Sequence, residues 1–257
     1  TMDAHYSNDV SERPIFYSMY NTLVGYGTDF GINPELAKSW EVSGDGKTVT
    51  FKLQEGVKFH NGDAFDADVV KWNYDRLLKE DDPLPLHGQV AYALNSVTVV
   101  DKNTVNFNMK KAYRPLMSDL GERPGFIMPP KPIEEKGSGY PYAWGDKQAG
   151  GTYSLSPVGT GPFKFKSWKI GQRVVLEKNE NFWQDGKPYL DQINYIGVPD
   201  ATVRLAMLRT GDVHVITDVR VQDIPTIEAN NNLKTTKLET GKWHGIRFNT
   251  KHAPYND

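Results

Sequence analysis

The hydrophobic pattern changes period within one stretch, residues 36–78. Val49, Phe51 and Leu53 alternate with Thr48, Thr50 and Lys52. That period of two predicts a strand with one buried and one wet face. It follows Trp40-Glu41-Val42-Ser43 across Gly44-Asp45-Gly46, whose glycines can take the positive φ angles of a tight hairpin. Phe59-His60-Asn61-Gly62 forms a second turn. Val70, Tyr74, Leu77 and Leu78 then recur at helical spacing, and Asp66 stands where it can accept the free amide hydrogens of the first turn.

The rest of the chain alternates in the same way. Pro14 opens a helix in which Ile15, Met19 and Leu23 recur every four residues beside Phe16 and Tyr20, until Gly25, Gly27 and Gly31 break it. Residues 80–87, with clustered acids and prolines, predict a loop. Val97 and Val99 face Val105, Phe107 and Met109 across Asp101-Lys102-Asn103, a second hairpin, and a short helix covers 115–120. Residues 137–156 are rich in Gly, Tyr and Ser and predict an irregular junction. Phe163, Phe165 and Trp168 return through a Gly171 turn to Val174 and Leu176, and 190–198 is a strand. Asp200 caps a helix over 201–209 with Val203, Met207 and Leu208 inward, which Gly211 ends. A short buried strand at Val213-His214-Val215-Ile216, a helix over 221–230 and a strand over 233–238 complete a mixed α/β chain.

With 257 residues, the chain can bury a sizeable core, as one large or two smaller domains. The 30 basic and 32 acidic side chains give a net charge of −2, with no field for nucleic acid or anionic lipid. No apolar run approaches the roughly 18–20 residues of a membrane span, and no signal peptide is read in the chain. Thr1-Met2-Asp3 is not a natural start, so a processed or trimmed chain is expected. The absence of cysteine excludes disulfides and thiolate chemistry. The six histidines show no H-x-x-x-H spacing, so no metal site is assigned. The 6 Trp, 13 Tyr and 11 Phe supply core packing, or rings that line a pocket.

The stretch 36–78 resembles the signature of the family 5 extracytoplasmic solute-binding proteins, the peptide, nickel and opine receptors of bacterial ABC importers. Their pattern, roughly "LA.SW..S.DGKT.TF.LR..VKF..G..F.A.DV....R", is met by Leu36-Ala37, Ser39-Trp40, Asp45-Gly46-Lys47-Thr48, Thr50-Phe51, Val57-Lys58-Phe59, Gly62, Phe65, Ala67-Asp68-Val69 and Arg76. Met2-Asp3-Ala4 resembles the family's "LDP", and Tyr20-Asn21-Thr22-Leu23 its "YE.L". Pro157-Val158-Gly159-Thr160-Gly161-Pro162-Phe163 resembles "P.GTGP(Y/F)", and Asn179 to Trp183 "RNP.YW". Asp200, Arg204, Leu208 and Gly211 resemble "D..TR...L..G..D", with His214 where an acid is common.

The resemblance implies a periplasmic binding protein-like fold of class II, first lobe only, with an added hairpin-rich subdomain and the second lobe missing. Residues 1–35 and 157–245 would form the lobe core, 36–156 a peripheral α/β subdomain, and 246–257 a crossing segment toward the absent lobe. It implies a substrate-binding component, without cofactor, that captures a small solute and hands it to the membrane subunits of an ABC permease. An oligopeptide or peptide-like solute leads; a nickel or other metal chelate, an opine and an oligosaccharide are the alternatives. Location would be periplasmic, or on the cell surface as a lipoprotein, and the protein a monomer. Alone, the single lobe is expected to bind its solute weakly or not at all.

By the same resemblance, Tyr6, Asn8, Asp9, Val10 and Arg13 follow the element that leads into the ligand cleft, and Trp243 lies near the crossing segment. Asp9 would hold an ammonium and Arg123 a carboxylate. The residues leave Arg123 open: a guanidinium before Pro124 can form a bidentate pair with a carboxylate, stay on the surface, or pair with Glu122 or Asp119. A hydrolase and a structural or adhesion module are the readings from other classes. No carboxylate pair marks general acid–base work and no Gly-x-Ser-x-Gly elbow is present, so no catalytic residue is assigned.

Overall fold

A computed structural model describes residues 1–7, 11–80, 84, 86–138 and 150–237. It divides into two units, Thr1–Gly197 and Val198–Asp257.

In the first unit, α1 (Arg13–Met19) leads to a two-stranded ribbon of β1 (Val24–Tyr26) and β2 (Ile32–Pro34). β3 (Ala37–Val42) and β4 (Thr48–Leu53) form the expected hairpin, with Gly46 at φ 69° in its turn. α2 (Ala67–Leu78) begins where the Asp66 carboxylate accepts the Val69 amide at 3.2 Å. α3 (His87–Ala91) precedes β5 (Leu94–Asp101) and β6 (Thr104–Met109), which complete an antiparallel sheet of order β3-β4-β6-β5. α4 (Leu116–Leu120) and α5 (Pro130–Lys136) follow. β7 (Phe163–Lys169), β8 (Arg173–Lys178) and β9 (Gln192–Ile196) make a second antiparallel sheet.

The period-two pattern explains the four-stranded sheet's core. Val49, Phe51 and Leu53 all point to the face that α2 covers with Val70, Tyr74 and Leu77. Phe51 meets Phe107 edge-on at 4.9 Å between ring centres, and Tyr74 meets Phe107 at 4.6 Å. Burying each such ring contributes about 2–3 kcal/mol. A second cluster gathers Ile15, Phe16, Met19 and Tyr20 with Phe126, Met128, Ile133, Tyr153, Phe163, Val174 and Leu176. Asn73, inside α2, joins the two: its amide donates to the Met128 carbonyl at 2.9 Å and its carbonyl accepts the Met128 amide at 2.8 Å.

Several elements differ from the sequence pattern. The first helix stops at Met19 rather than running past Leu23. Tyr20 is extended, at φ −120° and ψ 154°, because the Met19 carbonyl accepts the Gly161 amide at 2.9 Å and Thr22 bridges to Phe126 as a strand would. Residues 87–91, of which only 87 was assigned from sequence, as the end of a loop, form α3.

In the second unit, α6 (Ala201–Thr210) is capped by Asp200, which accepts the Thr202 and Val203 amides, and closes on Gly211 at φ 81°, as expected. Its predicted inward face is not buried: Val203 is 49% exposed and no residue of α6 is buried. Val213–Ile216 is not a strand and Val215 is 80% exposed, since the Asp212 and Val213 amides are taken by the Met207 carbonyl at the helix end. A 3-10 turn at Val221–Asp223 and α7 (Ile224–Glu228) fill the predicted helix, and residues 233–237 form no strand.

Candidate functional site

Three local arrangements join segments of the first unit that are far apart in sequence. The first is a buried charge cluster. Asp3 accepts from both terminal nitrogens of Arg76, at 2.6 and 3.3 Å, and Arg76 also donates to Ser138 at 2.6 Å. Burial alone would raise the Asp3 pKa, but the Arg76 charge and hydrogen bonds hold it below the usual carboxylate range. His5 lies against the same guanidinium through Nδ1 at 3.2 Å, while Nε2 donates to the Phe126 carbonyl at 2.8 Å. Burial, with the Arg76 charge, pushes its pKa down to about 4. This cluster folds residues 1–7 into a turn in which the Tyr6 and Ser7 amides donate to the Asp3 carbonyl at 3.1 Å.

The second arrangement explains the glycines at 159 and 161. The Gly159 amide donates to His60 Nδ1 at 3.1 Å and His60 Nε2 donates to the Gly161 carbonyl at 3.0 Å. A Cβ on Gly159 would stand 2.0 Å from the Met19 carbonyl oxygen, so only glycine admits this approach. Thr160 donates to Asn21, as does the Trp183 indole, each at 3.1 Å. His60, expected to serve a turn, thus staples the first hairpin's exit to the loop before β7.

The third arrangement gathers Arg13 and Arg123, two of the residues singled out from sequence. Gly125 lets residues 123–125 double back on α4, where a Cβ would lie 1.6 Å from the Leu120 carbonyl oxygen. Arg123 thereby reaches the chain's start and donates to the Ser7 carbonyl at 3.0 Å. Glu122 pairs instead with Arg13, at 3.1 Å, with the two side chains 34% and 37% exposed. Asp119 is engaged by Tyr113. Neither acid takes Arg123 in the way the sequence allowed.

Tyr17, one turn after Arg13 on α1, donates to the Gly121 carbonyl at 2.8 Å. Burial, and then the Glu122 charge, raises its pKa. Tyr26 covers the other side of Gly121, where a Cβ would come within 2.8 Å of its ring, and its hydroxyl donates to the Ser118 carbonyl at 2.9 Å. Both rings stay about 40% exposed.

Of the residues singled out from sequence, Arg13 is brought onto Glu122 and Arg123 onto the Ser7 carbonyl, while Tyr6, half-buried, precedes Ser7 in the chain. Asn8, Asp9, Val10 and Trp243 lie outside the described residues. Glu122 as the partner of Arg13, and the tyrosines 17 and 26, were not read from sequence. The spacing of four between Arg13 and Tyr17 was the available signal. Two guanidinium groups, one carboxylate and two rings can hold a small polar solute that carries a carboxylate. Among the described residues, no three of His, Asp or Glu are grouped to hold a metal ion, and no helix is long and apolar enough to cross a membrane.

Comparisons with known proteins bear on what such a patch serves. The profile of the bacterial extracellular solute-binding proteins, family 5, matches residues 31–257. The glutathione-binding protein GsiB of Pectobacterium atrosepticum is 29% identical over 257 residues, covering 100% of this chain and 47% of that protein. The chain spans about half the length of the curated relatives it matches. Among solved structures, MoaA of A. tumefaciens R10 in complex with mannopinic acid superposes with a TM-score of 0.85 at 27% identity, over 100% of this chain and 50% of the other. DppA of Helicobacter pylori in complex with the peptide STSA gives 0.75 at 25%, over 90% and 47%.

Proposed function

The chain belongs to the family 5 bacterial extracellular solute-binding proteins, and we propose that it is the solute-contacting first lobe of a peptide-type receptor serving an ABC importer. It has the fold of a periplasmic binding protein over about half the length of its relatives, consistent with a second lobe not present in this chain. The observation that carries the reading is the Arg123 guanidinium, which donates to the Ser7 carbonyl while its neighbour Glu122 pairs with Arg13. It ties the end of α4 to the segment that continues into residues 8–10. Tyr6, Asn8, Asp9, Val10, Arg13, Arg123 and Trp243 would line the solute, with Arg123 on a carboxylate and Asp9 on an ammonium. Each sheltered, charge-assisted bond contributes about 1.5–3 kcal/mol.

In this reading residues 36–156 are a peripheral subdomain, 1–35 with 157–245 the lobe core, and 246–257 the crossing to the second lobe. Closure of the two lobes excludes water from the solute and presents the receptor, as a monomer in the periplasm or lipid-anchored at the cell surface, to the permease. Glutathione-like peptides suit two guanidinium groups, since they carry two carboxylates, and the GsiB relatives favour them. An opine is the second reading, favoured by the likeness to MoaA over the whole chain.

Calorimetry on the natural full-length protein with glutathione, dipeptides, tripeptides and opines tests this. One class should bind with micromolar or tighter Kd, and Arg123→Ala should weaken it at least tenfold. An unchanged Kd in Arg123→Ala would remove the anion anchor.

A further inference from the structure

We propose that Glu122 is a resident counter-anion, which a carboxylate-bearing solute must displace from Arg13, and that it thereby sets the charge preference of the site; this rests on reading the Arg13–Arg123 patch as the solute site. Arg13 and Glu122 meet at 3.1 Å through one terminal nitrogen and one oxygen. They do not form the two-pronged pair of which a guanidinium is capable. Arg13 Nε is shielded from water and has no hydrogen-bond partner, and Glu122 Oε2, the oxygen that faces Arg13 Nη1, is shielded too and makes no well-aligned hydrogen bond. A shielded donor without a partner is costly, so the pair is held together but poorly satisfied. A carboxylate that forks onto Nε and a terminal nitrogen of Arg13 meets the unfilled donor, and it lets Glu122, whose Oε2 is shielded in the pair although the side chain as a whole is 37% exposed, turn toward water.

The surroundings suit an exchange of this kind. The Tyr17 hydroxyl is committed to the Gly121 carbonyl and that of Tyr26 to Ser118, so the two rings offer apolar walls rather than competing donors. Arg123 donates to the Ser7 carbonyl and fixes the neighbouring main chain. Arg13 sits in the first turn of α1, two turns of chain from the helix end at Met19, so its main chain stays in place when its side chain changes partner.

The test uses the natural full-length protein with trialanine, trialanine amide and glutathione as probes, in wild type, Glu122→Gln, Arg13→Gln and the double variant. Glu122→Gln should tighten the free acids about two- to fivefold, the range of a partly exposed ion pair, and leave the amide unchanged. The gain should vanish in the Arg13→Gln background. Equal effects on acid and amide, or a gain that survives Arg13→Gln, would overturn the counter-anion role while the receptor reading stands. Failure of wild type to bind any of the three probes would instead count against the peptide reading, and the role with it.

Discussion

Asp3 and Arg76 stand 73 positions apart and meet at 2.6 Å, with the carboxylate wholly buried. Their bidentate contact fastens the first residues of the chain to the last turn of α2. Removing one partner leaves an uncompensated buried charge. Arg76→Ala or Asp3→Ala should therefore cost about 3–5 kcal/mol in urea unfolding, while the double variant should cost clearly less than the sum. Additive losses would show that the pair acts through other contacts.

His60 and His5 are both kept neutral, in the first place by burial. In each, Nε2 donates to a carbonyl and Nδ1 faces a donor, the Gly159 amide or the Arg76 guanidinium, so a proton on Nδ1 has no place. Burial comes first among the causes that push each pKa from 6.5 to about 4. The unfolded chain then binds more protons between those values, so the stabilisation is complete above pH 6.5 and is lost as pH falls from 6.5 to 4. Each histidine should contribute about 2–3 kcal/mol to that loss. Urea melts at several pH values should show a shallower acid slope in His60→Gln; an unaltered slope would assign the loss to other groups.

Glycines in this chain should answer differently to alanine. Gly159→Ala puts a Cβ 2.0 Å from the Met19 carbonyl oxygen and should destabilise by about 1–3 kcal/mol or more. Gly88, inside α3, has open space at that position, so Gly88→Ala should stabilise by about 0.5–1 kcal/mol. Thermal melts of the two variants should move in opposite directions.

Tyr74 is 1% exposed and its hydroxyl has no hydrogen-bond partner. It borders a small apolar cavity of about 20 Å³, lined by Val90, Leu94, Met109 and Leu116 among others. A buried hydroxyl without a partner costs about 1–3 kcal/mol. Tyr74→Phe, which keeps the ring on Phe107, should leave stability unchanged or raise it by about 1 kcal/mol. A loss larger than 1 kcal/mol would show that the hydroxyl is bonded to an ordered water in the cavity.

What the sequence determined by itself is local. Alternation fixed the faces of β4 and β6, Asp66 and Asp200 announced two helix starts, and Gly46, Gly171 and Gly211 marked two turns and a helix stop with their positive φ angles. The family pattern was legible because it consists of these same local devices. Its residues Asp3, Arg76, Gly159 and Gly161 could be recognised without any sign of what they touch. Tertiary structure decided the rest, since a partner 73 or 99 positions away leaves no trace in a period or a cap. It ended α1 at Met19 because the carbonyl there is taken by Gly161. It also gave Glu122 to Arg13 and turned Arg123 onto Ser7. A long guanidinium can reach many acceptors, and only the fold brings one of them within 3 Å.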